Sequence, residues 1–243
     1  MFGVKQKIYF RGDYVMKKTL LSMAVVGALF IATQAQAGAS ANVGVTNNYI
    51  WRGITQTQDS PALQAGLDYA HDSGLYAGTW VSNTEFAGDA TGPELDLYAG
   101  YKKDLKGEAA VDVGVINYSY PDDNSAEFTE AYAKASLMGA SAEVDYTIDS
   151  KDTTEAVQKG DVYLGLGYSK EISGITYGGK VGRYNFKADG ADYSNVQLSA
   201  TKSFEKVGDV TLAVDKASGG TAEAVNGDSD PRVSVLWKKS FDF

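Results

Sequence analysis

Residues 233–243 read VSVLWKKSFDF and close the chain. Val233, Val235, Trp237, Phe241 and Phe243 share one parity, which only Lys239 interrupts. Successive side chains of a β-strand point to opposite faces, so this run predicts a strand that is apolar on one face up to its last residue. A chain end is poorly ordered unless something ties it down, and a free end would ordinarily be polar. The final strand is therefore expected to be paired. Its apolar face must meet either a protein core or the hydrocarbon of a membrane.

The same alternation runs back through segments 39–52, 62–71, 75–86, 94–103, 108–120, 127–137, 140–149, 161–169, 175–186, 193–204, 209–218 and 231–243. Their lengths suit the ~9–11 residues of a tilted membrane-crossing strand and exceed the ~5–6 of soluble sheets. The connections sort by order along the chain. Asp72–Gly74, Asp104–Gly107, Met138–Gly139, Lys170–Gly174 and Glu205–Gly208 are short and end in glycine, as tight hairpins do. The alternate connections, 53–61, 87–93, 121–126, 150–160, 187–192 and 219–230, are longer and polar. A soluble sandwich has no reason to sort its loops in this way. A transmembrane antiparallel up-and-down β-barrel of twelve strands does, with short turns inside and long loops outside.

The faces agree. Leu63, Ala65, Leu67 and Tyr69 oppose Gln64, Gly66 and Asp68, while Ala142, Val144, Tyr146 and Ile148 oppose Glu143, Asp145 and Asp149. Such small apolar residues make a thin protein core but suffice against lipid, and the polar face then lines a lumen. Lys239 on the apolar parity lies close enough to the terminus for its stem to reach the headgroups. Aromatics gather near strand ends (Tyr49, Trp51, Tyr69, Tyr101, Tyr118, Tyr120, Tyr146, Tyr168, Tyr184, Phe186, Tyr193, Phe204, Phe241 and Phe243), predicting interfacial girdles.

The N-terminus reads differently. MKKTL from Met16 opens a basic stretch, residues 20–32 are apolar, and Ala35-Gln36-Ala37 is a small-x-small cleavage site. That is a secretory signal, too short to span a bilayer. The division is 1–37 as extension and signal peptide, with cleavage after Ala37, and 38–243 as the barrel. The true start is either Met1 or Met16. Removing residues 1–37 takes five of the 22 basic and one of the 31 acidic residues, leaving 17 against 30 and a net charge of −13. That sign argues against a nucleic-acid partner. The absence of cysteine is compatible with an exported protein.

Two resemblances sharpen this reading. The terminal Phe243 with Phe241, Trp237, Val235 and Val233 resembles the C-terminal signal by which bacterial outer-membrane barrels reach their assembly machinery; Lys239 departs from it. Residues 48–80, NYIWRGITQTQDSPALQAGLDYAHDSGLYAGTW, resemble the opening block of the TorF-type porins, carried by Tyr49, Arg52-Gly53, Gln56, Pro61-Ala62, Gln64, Tyr69, Ser73-Gly74, Tyr76 and Trp80. The resemblance implies a barrel in the bacterial outer membrane, in contact with its lipid and lipopolysaccharide, and a passive channel.

No catalytic constellation stands out. His71-Asp72-Ser73 is adjacent in sequence at a short turn and is not a triad, which must converge in space. Asp122-Asp123, or Asp228 with Asp230, lack the spacing of a calcium loop, and Gly165-x-Gly167 precedes no helix. Neither metal nor cofactor is expected. The lumen is the better candidate. Its parity carries Asp68, Glu94, Asp96, Glu108, Asp112, Glu130, Glu143, Asp145, Asp161 and Asp215 against Arg52, Lys102, Lys134, Lys180, Arg232 and Lys238. This excess of acids predicts a channel for small hydrophilic solutes or ions with mild cation preference. The alternatives are a barrel plugged by cross-strand ion pairs with a structural or adhesive role, and an outer-membrane hydrolase. Loops 150–160 and 219–230 are candidates for folding inward.

Overall fold

The computed structural model describes residues 37–86, 90–122, 126–151, 156–227 and 230–243. Residues 1–36, with the expected signal segment and Ala35, lie outside the described residues, as do Asp123 and Asp228. The elements are β1 (Gly38–Thr46), β2 (Ile50–Trp51), β3 (Ile54–Thr55), β4 (Ala62–Ala70), β5 (Leu75–Phe86), β6 (Ala90–Asp104), β7 (Ala109–Ser119), β8 (Phe128–Leu137), β9 (Ala140–Ser150), β10 (Val162–Ile172), β11 (Ile175–Asn185), β12 (Tyr193–Phe204), β13 (Gly208–Ser218), a short helix α1 (Gly220–Asn226) and β14 (Arg232–Asp242). All strands but β2 and β3 form one closed barrel, in the order β1-β14-β13-β12-β11-β10-β9-β8-β7-β6-β5-β4.

Closure explains the apolar chain end. The last strand pairs antiparallel with the first, Ser40 opposite Asp242 and Thr46 opposite Leu236, so the sheet has no free edge. The Phe243 amide donates to the Ala39 carbonyl at 3.0 Å, which ties down the chain end. The apolar parity points outward throughout: Leu67 is 60% exposed, Leu166 62% and Leu198 63%. No soluble fold leaves so many large side chains uncovered in one band, and hydrocarbon is the solvent that suits them.

Positive φ at the short turns explains their glycines. Met138-Gly139 and Ser173-Gly174 have both residues at φ > 0 (50° and 89°, 53° and 73°), the backbone of a two-residue hairpin whose twist matches the strands. The connection expected at 170–174 is therefore only Ser173-Gly174, because β10 runs on to Ile172. Two outward lysines at this rim are satisfied by the turn of a neighbouring hairpin. Lys239 Nζ donates to the Lys206 carbonyl and Lys202 Nζ to the Gly174 carbonyl, each at 2.8 Å.

Three expectations are corrected. The long connection 87–93 is not long: β5 and β6 stay paired up to Phe86 opposite Ala90. Pro93 is tolerated there because β6 pairs with β7 only from Leu95 onward, leaving one side of the ribbon without a ladder to break. At the long-loop end the aromatic girdle is largely absent. Tyr49, Tyr118, Tyr184 and Tyr193 are buried inside the barrel, and Trp51 packs with them. The short-turn end does carry outward rings, among them Tyr69, Tyr101, Tyr168, Phe204 and Phe241. Finally, the first strand stops at Thr46, not Arg52.

Candidate functional site

Beyond Thr46 the chain turns into the lumen. Ile50 pairs with Thr55 and Trp51 with Ile54, and between them Arg52 (φ 49°) and Gly53 (φ 83°) make a two-residue turn. Gly53 is required twice over: by its backbone, and because a Cβ there would meet Asn195 Cβ at 2.7 Å and Ala217 Cβ at 2.9 Å on the wall. Helix α1 covers the hairpin. Asn226 accepts from the Thr55 amide at 3.2 Å and donates to the Gly53 carbonyl at 3.2 Å. Below, the Glu85 amide donates to the Gln56 carbonyl at 2.8 Å. The inserted loop is 47–61, between β1 and β4; of the connection expected at 219–230, helix α1 folds over it, and Val157 of 150–160 packs at its edge.

Arg52 is the tip of this hairpin. Its guanidinium donates to both oxygens of Glu130, each at 2.8 Å, and lies 3.4 Å from Asp145 Oδ2. Glu130 also accepts from Tyr118 at 3.3 Å and Tyr184 at 3.1 Å. The rings of Trp51, Tyr163 and Tyr184 stand 4.3, 4.2 and 5.0 Å from the guanidinium carbon. A buried charge is tolerable only when paired and hydrogen-bonded, and Glu130 meets that condition in full.

A second pair of acids lies on β6 in the same half of the lumen. Glu94 accepts one hydrogen bond, from Tyr49 at 3.2 Å. Glu94 and Asp96 lie within hydrogen-bond reach of each other, and no other group donates to Glu94 Oε2 or to either oxygen of Asp96, although both residues are buried. The packed long-loop half of the lumen thus gathers four carboxylates, Glu94, Asp96, Glu130 and Asp145, against one guanidinium.

A ladder of alternating sign runs around the wall. Lys102 opposes Asp112, Asp112 opposes Lys134, and Lys134 opposes Glu143. Glu143 then lies across Gly165 of β10 to reach Lys180 on β11, at 2.5 Å, with Lys134 at 3.8 Å on its other side. Lys180 opposes Gln197, and Gln197 donates to Asp215 at 2.8 Å. Here the lumen is wetter: Lys134 and Glu143 keep 29% and 15% of their side-chain surface, against 6% and 0% for Arg52 and Glu130. Nearer the short turns, Tyr76 donates to Asp112 at 2.6 Å and meets the Tyr132 hydroxyl, while Tyr98 donates to Asp68. These rings lie over inward glycines. A Cβ at Gly78 would strike Tyr98, one at Gly100 Tyr76, and one at Gly114 Tyr132.

Residues 32–241 match the family described as "Bacterial protein of unknown function (Gcw_chp)". The chain belongs to the Gcw_chp family. No curated protein matches it. Among solved structures, the Gcw_chp chain is similar to the KdgM porin, at 9% identity over 84% of this chain and 99% of that one, TM-score 0.53. The KdgM porin in complex with disordered oligogalacturonate gives 8%, 84%, 99% and 0.52. The COG4313 outer membrane channel from Pseudomonas putida F1 gives 12%, 92%, 100% and 0.51. At such identities the likeness is one of fold.

The Gcw_chp barrel brings together most of the side chains expected in the lumen. Arg52 arrives there on an inserted hairpin and not on a barrel strand. Asp96, Glu130, Asp145 and Asp215 are buried, and Asp68, Lys102, Asp112, Lys134, Glu143 and Lys180 line the half nearer the short turns or the ladder. Arg232 belongs to the rim: it donates to Asp59 Oδ1 at 3.0 Å and to the Asn226 carbonyl at 2.8 Å. Glu108 sits exposed in a turn. Asp149 is exposed because β8 and β9 slip register between Thr129 and Glu130, so the parity read from Glu143 fails beyond it. Tyr98 shares the inward face with Glu94 and Asp96 as its parity predicts, whereas the lumen tyrosines Tyr76, Tyr132 and Tyr163 were missed; Tyr132 and Tyr163 share the parity of Glu130 and Asp161, but Tyr76 stands on a strand without a lumen acid. His71 is occupied by its own turn, with Ser73 Oγ 2.9 Å from Nδ1 and the Ser73 amide donating to Nδ1 at 3.1 Å. Asp72 accepts from the Ala37 amide instead, at 3.0 Å.

Proposed function

We propose that this Gcw_chp barrel is an outer-membrane channel through which small hydrophilic solutes or ions diffuse passively, with mild preference for cations. The observation that carries the reading is where the charge sits. The wall ladder nearly balances, whereas the packed long-loop half, the constriction on this reading, holds four acids and one base, and charge of one sign at a narrow point sets pore selectivity. A polyanion such as the oligogalacturonate of the KdgM complex would meet repulsion there. On this reading the N-terminal signal directs export and the C-terminal strand is handed to the barrel-assembly machinery. Lipid and lipopolysaccharide surround the apolar band, as in the TorF-type porins that residues 48–80 resemble.

One observation favours a second reading, a plugged barrel with a structural or adhesive role: the inserted hairpin packs the long-loop half with buried side chains. Planar-bilayer recording separates the two. The channel gives discrete steps whose reversal potential in a KCl gradient favours K⁺, and Asp145→Asn or Asp112→Asn reduces that preference. A plugged barrel gives no steps.

A further inference from the structure

The packed half of the lumen contains the same local chemistry twice. In one place, the acids Glu130 and Asp145 with the rings of Trp51, Tyr163 and Tyr184 enclose the guanidinium of Arg52. Two strands along the wall from Glu130, Glu94 and Asp96 stand on β6 two residues apart, on one face. Asp96 lies directly between Trp80 of β5 and Tyr118 of β7 in the register. All three residues are buried within the lumen. Tyr49, packed edge-on against Trp80 with centroids 5.4 Å apart, donates to Glu94. Apart from the contact of the two acids with each other, three carboxylate oxygens of this pair have no hydrogen-bond partner, and among the described residues no basic side chain forms an ion pair with either acid.

We propose that Glu94 and Asp96 form a binding site for a small organic cation, an ammonium or guanidinium group, whose charge pairs with the two carboxylates beside Trp80. Such a group supplies N–H donors to the orphaned oxygens and gains from the neighbouring ring, as Arg52 does beside Glu130. A divalent metal suits the site less well. Among the described residues no group of three or more metal-ligating side chains gathers, and Ca²⁺ takes about six to eight oxygens. The site's role as a station on a permeation path rests on the channel reading; binding itself is measured without conduction.

The test is isothermal titration of the folded protein in detergent micelles with methylguanidinium chloride, repeated in the presence of calcium chloride. Saturable binding is expected, weakened about ten-fold in Glu94→Gln and in Asp96→Asn, the loss of a charge-assisted hydrogen bond. Asp104→Asn, at the exposed end of the same strand, leaves it unchanged, and calcium does not compete. Absence of saturable binding to the wild type overturns the proposal, as a proton-sharing acid pair would predict. So does binding indifferent to both variants, and displacement by calcium assigns the site to a metal. Should a variant fail to fold, the wild-type titrations alone decide. Binding without conductance would sink the channel and leave the site standing; conductance without binding would do the reverse.

Discussion

Arg52 and Glu130, 78 residues apart in sequence, meet through two parallel hydrogen bonds of 2.8 Å inside the barrel. This contact joins the tip of the β2–β3 hairpin to the wall strand β8, so it decides whether the lumen is narrow. Arg52→Ala would leave Glu130 and Asp145 buried without their counter-charge. Breaking one side of a buried ion pair costs about 3–5 kcal/mol. A clear fall in the urea midpoint, followed by tryptophan fluorescence in micelles, is expected. An unchanged midpoint would show that the pair does not hold the hairpin.

The inward glycines under tyrosine rings predict an asymmetry between two identical substitutions. Gly78→Ala forces a Cβ into Tyr98 and is expected to destabilise by about 1–3 kcal/mol. Gly179→Ala faces outward, makes only ordinary contacts with Leu198 Cδ2 at 3.5 Å and the Gln197 carbonyl oxygen at 3.9 Å, and should stay within ~0.5 kcal/mol of wild type. Equal effects would contradict the assignment of faces.

Much of the fold is legible in the sequence, and the failures share a cause. Segments 75–86 and 193–204 coincide with β5 and β12 because a half-buried strand imposes parity on every residue. Segment 39–52 overran because Tyr49 and Trp51 keep the same alternation inside the inserted hairpin that they would have on a wall strand. Periodicity reports that a residue is extended, not which sheet it joins. Arg52-Gly53 between Ile50-Trp51 and Ile54-Thr55 was the available signal, a glycine-bearing two-residue turn between short apolar runs. The ladder from Lys102 through Asp215 depends on register, which one strand's pattern cannot give.

The outward band predicts a depth-dependent penalty. Leu198, midway along β12 and 63% exposed, should resist charge: Leu198→Arg is expected to cost about 2–4 kcal/mol. Lys239 escapes this because its Nζ reaches the Lys206 carbonyl at the rim. Unfolding in lipid vesicles measures the difference. A neutral Leu198→Arg would place that face in water.

The final strand predicts an assembly defect. Phe241 and Phe243 are outward and exposed, and neither packs in the interior. The double change Phe241→Ala with Phe243→Ala should therefore leave refolding in detergent nearly intact while reducing the heat-modifiable protein recovered from outer membranes. Equal loss in both assays would reduce these rings to structural parts.

The narrowing hairpin itself is tested most directly by single-channel conductance of the wild type beside a variant in which residues 49–57 are replaced by a short glycine-serine linker. The account predicts small, K⁺-selective steps from the wild type and steps several-fold larger and less selective from the variant. Silence from both, or steps of the same size and selectivity from both, would contradict it.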